Sequence, residues 1–337
     1  MSLKSFPAFI VLVALPLFYS SSWADDVNIY FKATPRLELL HPYSDPATLT
    51  LLVTGADGKP VTQGWVAIRL EAPEPGWFLS TDFPLVEGSR LLEMSLPLRK
   101  GRAEWKYLFP IRGEYRLSVE FTALDGQKAT KTFTIAIREN RQKWFFLGIF
   151  SLALFALGVT AGRIFTSSRS SPVGEIAAIL VLSLGSLMAS VGSVAVQAAE
   201  RSAQFGWLEI DPAIVGKPSK VRWRLAGDAN GESRAVLLTL TIAHLEKEKT
   251  VFSLERLPID REFALSFQFI DAAEYRVTAL AQVVGGRMLR TEQNMTVIGV
   301  EPPGWAMIPA IGFFLAVIAV GLAVGRWSRR TASSAES

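Results

Sequence analysis

Two hydrophobic patterns divide this 337-residue chain. The first is the unbroken apolar run, at residues 6–19, 144–162, 176–199 and 305–325, none with an internal charge. The last three are long enough, at about 1.5 Å of helix rise per residue, to cross a hydrocarbon layer of about 30 Å. The second pattern is strict alternation, as in "ATLTLLVTG", "GWVAIRLEA" and "EYRLSVEFTA", and later "KVRWRLAG", "EFALSFQF" and "EYRVTALAQVV". A period of two sends successive side chains to opposite faces of a strand. Short alternating segments separated by Gly, Pro and Asp predict β-sandwiches.

The order of these segments predicts a topology. Lys4 precedes the run at 6–19, and Ser22-Trp23-Ala24 puts small residues where a signal peptidase reads. Residues 1–24 therefore read as a secretory signal, cleaved after Ala24; an uncleaved anchor is the competing reading. Export then places a β-sandwich over 25–141 outside. A helix over 144–164 enters, 165–175 forms a cytoplasmic loop and a helix over 176–199 leaves. A second exported sandwich covers 202–300, a helix over 304–326 enters, and 327–337 is a cytoplasmic tail. Arg326, Arg329 and Arg330 then lie inside, as basic residues prefer. The first crossing is less orderly: Arg138, Arg141 and Lys143 flank it outside, Arg163 and Arg169 inside. Charge does not orient that helix; the export signal does.

Two motifs recur. "GVTAGRIF" and "GLAVGRWS" share G-x-x-x-G-R at a spacing of 163, and "FPIRGEYRLSVEFTA" and "FIDAAEYRVTALAQV" share F-x-x-x-x-E-Y-R at 160. Their common order predicts a tandem duplication of one unit: leading apolar segment, exported β domain, return helix. Chance similarity of short stretches is the alternative. "DAAEYRV", residues 271–277, also resembles the tyrosine corner of immunoglobulin-like folds, D-x-[GA]-x-Y-x-C. The resemblance implies that the Tyr275 hydroxyl, and Tyr115 in the first copy, bonds back to the backbone ahead of the penultimate strand. Val277 stands where antibody domains place Cys, and Ile111 replaces the Asp in the first copy, where Gly113 and Tyr115 fit. The expected fold is thus mostly β plus transmembrane α, with two Ig-like sandwiches and three transmembrane helices. The layout resembles bacterial envelope proteins that carry small Ig-like modules on membrane anchors. That implies a multi-pass protein of the cytoplasmic membrane with both β domains on the periplasmic or extracellular side.

Composition narrows the chemistry. With no cysteine, disulfides, iron–sulfur clusters and thiolate zinc sites are impossible. A net charge of +4, spread along the chain, carries no nucleic-acid patch. His41 and His244 fall at different places in the repeat and read as polar residues at strand ends, with metal binding as the alternative. Met94, Met288 and Met295 give weak support to copper handling. No G-x-S-x-G elbow or phosphate loop is present, so no catalytic residue and no cofactor is assigned. Glu114 and Glu274, beside the corner tyrosines, read as solvated or ion-paired, or as a recognition edge used twice.

Small residues mark the helices. Gly158/Gly162, Gly185/Ala189, Ser186/Ser190 and Gly321/Gly325 form small-x-x-x-small rows, which let helices approach closely in lipid. They pack this chain's own helices or dock it onto a larger complex. Arg163 and Arg326 are expected to snorkel to the cytoplasmic headgroups and set helix depth. The functional expectation is a non-catalytic accessory or assembly subunit. It would contact membrane lipid and another envelope protein, and no nucleic acid. The alternative is a periplasmic ligand- or metal-binding module.

Overall fold

The computed structural model describes residues 27–76, 81, 83–165, 206–225, 236–283, 288–301 and 304–334. The strands of the N-terminal half are β1 (Val27–Thr34), β2 (Ala47–Gly55), β3 (Trp65–Glu71), β4 (Arg90–Pro97), β5 (Arg102–Tyr107), β6 (Gly113–Thr122) and β7 (Lys128–Ile137). Those of the C-terminal half are β8 (Gly206–Ile210), β9 (Pro218–Leu225), β10 (Val236–His244), β11 (Lys249–Ile259), β12 (Glu262–Gln268), β13 (Glu274–Val283) and β14 (Met288–Thr296). Alternation explains their burial. In β2, Ala47, Leu49, Leu51 and Val53 point inward and are fully buried, while Leu52 and Thr54 face out. In β10, Val236, Leu238, Leu240 and Ile242 do the same.

The halves do not form separate sandwiches. One seven-stranded antiparallel sheet runs β1-β2-β5-β11-β10-β13-β14, and the other runs β7-β6-β3-β4-β12-β9-β8. Each sheet draws strands from both halves, and the buried residues of both form one continuous core. The halves join at two seams, one in each sheet. At one, Phe252 and Ser253 of β11 pair with Tyr107 and Lys106 of β5. At the other, Leu92, Glu93 and Met94 of β4 pair with Phe267, Ser266 and Leu265 of β12. The seams share one register at the 160-residue offset: Leu92 opposite Phe267 mirrors Phe252 opposite Tyr107. Read from opposite ends and by position within each half, the two sheets have the same strand order.

Aromatic rings tie the seams together. Phe252 of one sheet meets Phe267 of the other with ring centroids 5.9 Å apart. Around the seams, Leu108 N–H donates to the Val251 carbonyl at 2.9 Å and Lys106 pairs with Glu255 at 2.7 Å. The buried amide of Gln268 donates to Ser89 Oγ at 2.8 Å. An edge strand left open exposes a row of unpaired backbone groups, and fusing the halves satisfies these on four strands at once.

Two long helices follow the halves: α1 (Arg141–Phe165) after β7, and α2 (Ile308–Ser334) after β14. Both are long and apolar enough to cross a membrane. α1 starts at Arg141, ahead of the apolar run, because Asn140 caps it: its side-chain oxygen accepts the Gln142 N–H at 3.0 Å. α2 is preceded by a 3-10 turn at Gly304–Met307 and continues to Ser334, beyond the expected end at 326. The expected signal over 1–24 and helix over 176–199 lie outside the described residues.

The fused core makes the two halves one cooperative unit. Phe267→Ala, which opens both seams toward a cavity, should cost about 3–5 kcal/mol. In denaturant, circular dichroism and tryptophan fluorescence should fall together for the wild type and the variant. Two separated transitions in the wild type would contradict this.

Candidate functional site

Two features converge on the end of the sandwich that bears the helices. The first is the helix seam. α1 and α2 pack in parallel, with Gly158 against Gly321 and Gly162 against Gly325. A Cβ on Gly158 would lie 2.6 Å from the Ile318 carbonyl oxygen, one on Gly162 2.5 Å from that of Leu322, and one on Gly321 2.5 Å from that of Phe155. A Cβ on Gly325 would strike the Val159 carbonyl. Only hydrogen fits at all four, so both G-x-x-x-G rows are used up against each other within this chain. Phe150 and Phe314 meet edge to face at 5.3 Å on the same seam. Arg163 reaches across it, its Nε donating to Ser328 Oγ at 3.2 Å. The backbone of Arg326 lies against Gly162. Gly185 and Ala189 lie outside the described residues.

The second feature is a pair of tyrosine corners. Phe109 and Tyr115 stack edge to face at 4.9 Å, as do Phe269 and Tyr275. The buried Tyr115 hydroxyl donates to the Ile111 carbonyl at 2.6 Å and accepts the Ile111 N–H at 2.9 Å. Gly113, with φ +124, is required there: a Cβ would sit 2.6 Å from the Pro73 ring. Tyr275 departs from this pattern. Its hydroxyl donates to the carboxylate of Asp271, the residue that replaces Ile111.

That carboxylate organises a polar cluster joining the two halves. Its Oδ2 accepts from Lys247 Nζ at 2.6 Å, His244 Nε2 at 3.2 Å and the Tyr43 hydroxyl at 3.3 Å. Lys247 also lies over the Tyr43 ring at 4.0 Å. Lys249 Nζ donates to the Tyr43 and Ser44 carbonyls at 2.7 and 3.1 Å. Tyr43 and Ser44 come from the β1–β2 loop of the first half; His244, Lys247, Lys249, Asp271 and Tyr275 come from the second half. Burial raises the Asp271 carboxyl, but hydrogen bonds from Lys247 and Tyr275, the Lys247 charge and the His244 bond together hold it below its ordinary value. Burial, followed by the Asp271 charge, pushes the Tyr275 hydroxyl far above the usual phenol range.

The histidines are not brought together. His244 is 1% exposed. Its Nδ1 accepts the Lys247 N–H at 3.3 Å, which leaves Nε2 to donate to Asp271. His41 Nδ1 donates to the Arg138 carbonyl at 3.1 Å. Among the described residues no three His, Asp or Glu side chains are placed to hold a metal ion. Glu114 and Arg116 border a shallow acidic cleft with Glu71 and Glu74, where Arg116 pairs with Glu71 at 3.6 Å. Tyr43, Lys247 and Lys249 escaped the sequence reading. Only the Asp271 of the corner motif pointed toward them.

Two tests follow. Gly162→Val should force α1 and α2 apart. In this cysteine-free chain, the disulfide formed by Phe150→Cys with Phe314→Cys should fall several-fold in that background. Asp271→Asn should cost about 1–3 kcal/mol at neutral pH. A depressed carboxyl stabilises above its unfolded value, and that stabilisation is lost as pH falls through its folded value. The gap between wild type and Asp271→Asn should therefore close under acid, read as melting temperature against pH; a pH-independent gap contradicts the assignment.

No protein-family model matches the chain, and no curated protein matches it. Solved structures resemble it only distantly. A lipoprotein from Bacteroides thetaiotaomicron is 13% identical, covering 31% of this chain and 86% of its own, at a TM-score of 0.21. A tandem-repeat region of a large adhesion protein is 10% identical, covering 81% of this chain and 49% of its own, at 0.22. A Salmonella alpha-2-macroglobulin is 10% identical, covering 82% of this chain and 15% of its own, at 0.24.

Proposed function

We propose that the chain is a non-catalytic, membrane-anchored accessory or assembly subunit of a bacterial envelope, binding another envelope protein through its exported sheets. The observation that carries this reading is the rigid join between platform and stalk: both halves deliver a helix to one glycine seam below a single fused core. Such a body holds a surface at fixed height and orientation above a membrane. Exposed aromatic residues on the outer sheet faces, Tyr30 at 52% beside Leu52, and Trp65 at 47%, suit protein contact. The edges suit strand addition less well. Lys131 of β7 donates to the Ile29 carbonyl of the β1 edge at 2.9 Å, and Thr291 of β14 bonds the Gly206 carbonyl of β8 at 3.4 Å.

The finer topology belongs to the same proposal. α1 carries the chain away from the sheets and β8 resumes within one of them, so a return crossing by 176–199 fits a three-span protein with both β halves outside. A tandem duplication accounts for the matching strand orders, seam registers and helix contacts.

Tagged full-length protein, extracted from native membranes in mild detergent, should retain one recurrent partner in fixed ratio. Tyr30→Asp or Trp65→Asp should release it while the melting temperature stays unchanged. A partner-free protein would overturn the proposal, and stoichiometric metal in that preparation would favour the metal-binding alternative.

A further inference from the structure

The basic residues outside the first crossing, which run against the usual charge distribution, gather at one place. On the sheet faces arginine is typically answered by a carboxylate: Arg69 and Arg90 pair with Glu93 at 3.0 and 2.6 Å, Arg224 with Glu262 at 3.1 Å and Arg276 with Glu292 at 2.9 Å. Arg36, Arg138 and Arg141 are exposed and have no ion-pair partner among the described residues. The fold brings them to the same end. Arg36 sits at the position preceding the 3-10 turn Leu37–Leu39, which packs on β7; the His41 bond to the Arg138 carbonyl fastens that loop to the strand end; and Arg141 opens α1. The acidic side chain closest in sequence, Glu139, is already shared by Arg112 at 2.9 Å and Lys143 at 3.8 Å, and is 9% exposed. It does not neutralise the exposed arginines. Glu38 is the one acidic residue in the 3-10 turn.

Depth identifies the ligand. Arg112 lies over the Trp144 ring at 5.9 Å, and Trp144 begins the apolar span. At about 1.5 Å per residue, Arg141 sits about 4.5 Å above that boundary. This is within the headgroup layer, which adds about 5–8 Å on each side of the hydrocarbon. Leu39, 65% exposed, stands in the same loop. The second crossing has no counterpart: residues 297–307 contain no Lys or Arg and include Glu301. A guanidinium offers a planar fork of donors that matches a phosphate group.

We propose that Arg36, Arg138 and Arg141 form a binding site for the phosphate groups of anionic phospholipids in the leaflet on the sheet side. This rests on the membrane-spanning reading of α1. The site fixes the height and tilt of the sandwich on the α1 side and offsets a charge distribution that would otherwise disfavour this orientation.

The test uses the full-length protein reconstituted in vesicles of phosphatidylcholine containing a minority of phosphatidylglycerol. After gentle detergent extraction, the lipids retained are counted by mass spectrometry. The expected result is several-fold enrichment of phosphatidylglycerol over its share in the vesicles, weakened by high salt. It should fall to the bulk ratio in the variant Arg36→Gln, Arg138→Gln, Arg141→Gln, whose melting temperature stays at the wild-type value. Equal retention in wild type and variant, or no enrichment in either, overturns the lipid site. Protein that washes off the vesicles in alkaline carbonate overturns the membrane reading instead, so the two failures are distinguishable.

Discussion

The pairing of β5 with β11 and of β4 with β12 is the constraint on which the rest of this molecule depends. Each contact spans only a few residues. Yet these strands are where a self-contained half would end, and an edge strand without a partner leaves its backbone groups to water or to another chain. Joining the halves there turns two small cores into one. It also brings Phe252 and Phe267 together across the sheets at the centre of the joint. Larger cores bury a greater fraction of their surface, so each half stabilises the other.

The same two-fold relation sets the helices. Because the halves are related by exchange of sheets, their C-terminal strands β7 and β14 deliver α1 and α2 from the same end of the sandwich. The chains then run in parallel, and residues at equivalent places in the two halves meet. That is why Gly158 faces Gly321 and Gly162 faces Gly325. In lipid there is little hydrophobic drive for helices to associate, so close backbone contact must supply the attraction. The seam therefore depends on the sandwich for its alignment, and the sandwich gains a rigid stalk.

Departures from the relation are where individual chemistry appears. The connection between β3 and β4 runs from residue 72 to 89, whereas the equivalent turn between β10 and β11 covers only 245–248. Asp271 stands where the first half has Ile111, and the short turn brings His244, Lys247 and Lys249 around that carboxylate. Tyr43 of the first half completes the group. The result is a polar clasp between the halves, close to the end that bears the helices. On the other half the same end carries Arg36, Arg138 and Arg141, which have no ion-pair partner among the described residues.

Much of this was legible in the sequence. Period-two alternation marked the strands and their buried faces, because a pleated backbone admits no other assignment of inward positions. The long charge-free runs marked α1 and α2, and the paired G-x-x-x-G rows pointed to close helix contact. The corner motif located Tyr115 and Tyr275. What the sequence left open was everything set by long-range pairing: that the expected two sandwiches share two sheets, that the glycine rows face each other, and that Tyr43 and Asp271, 228 positions apart, meet. Local pattern determines which face of a strand is apolar. Which edge it joins depends on the register of distant partners, and only the folded chain decides that.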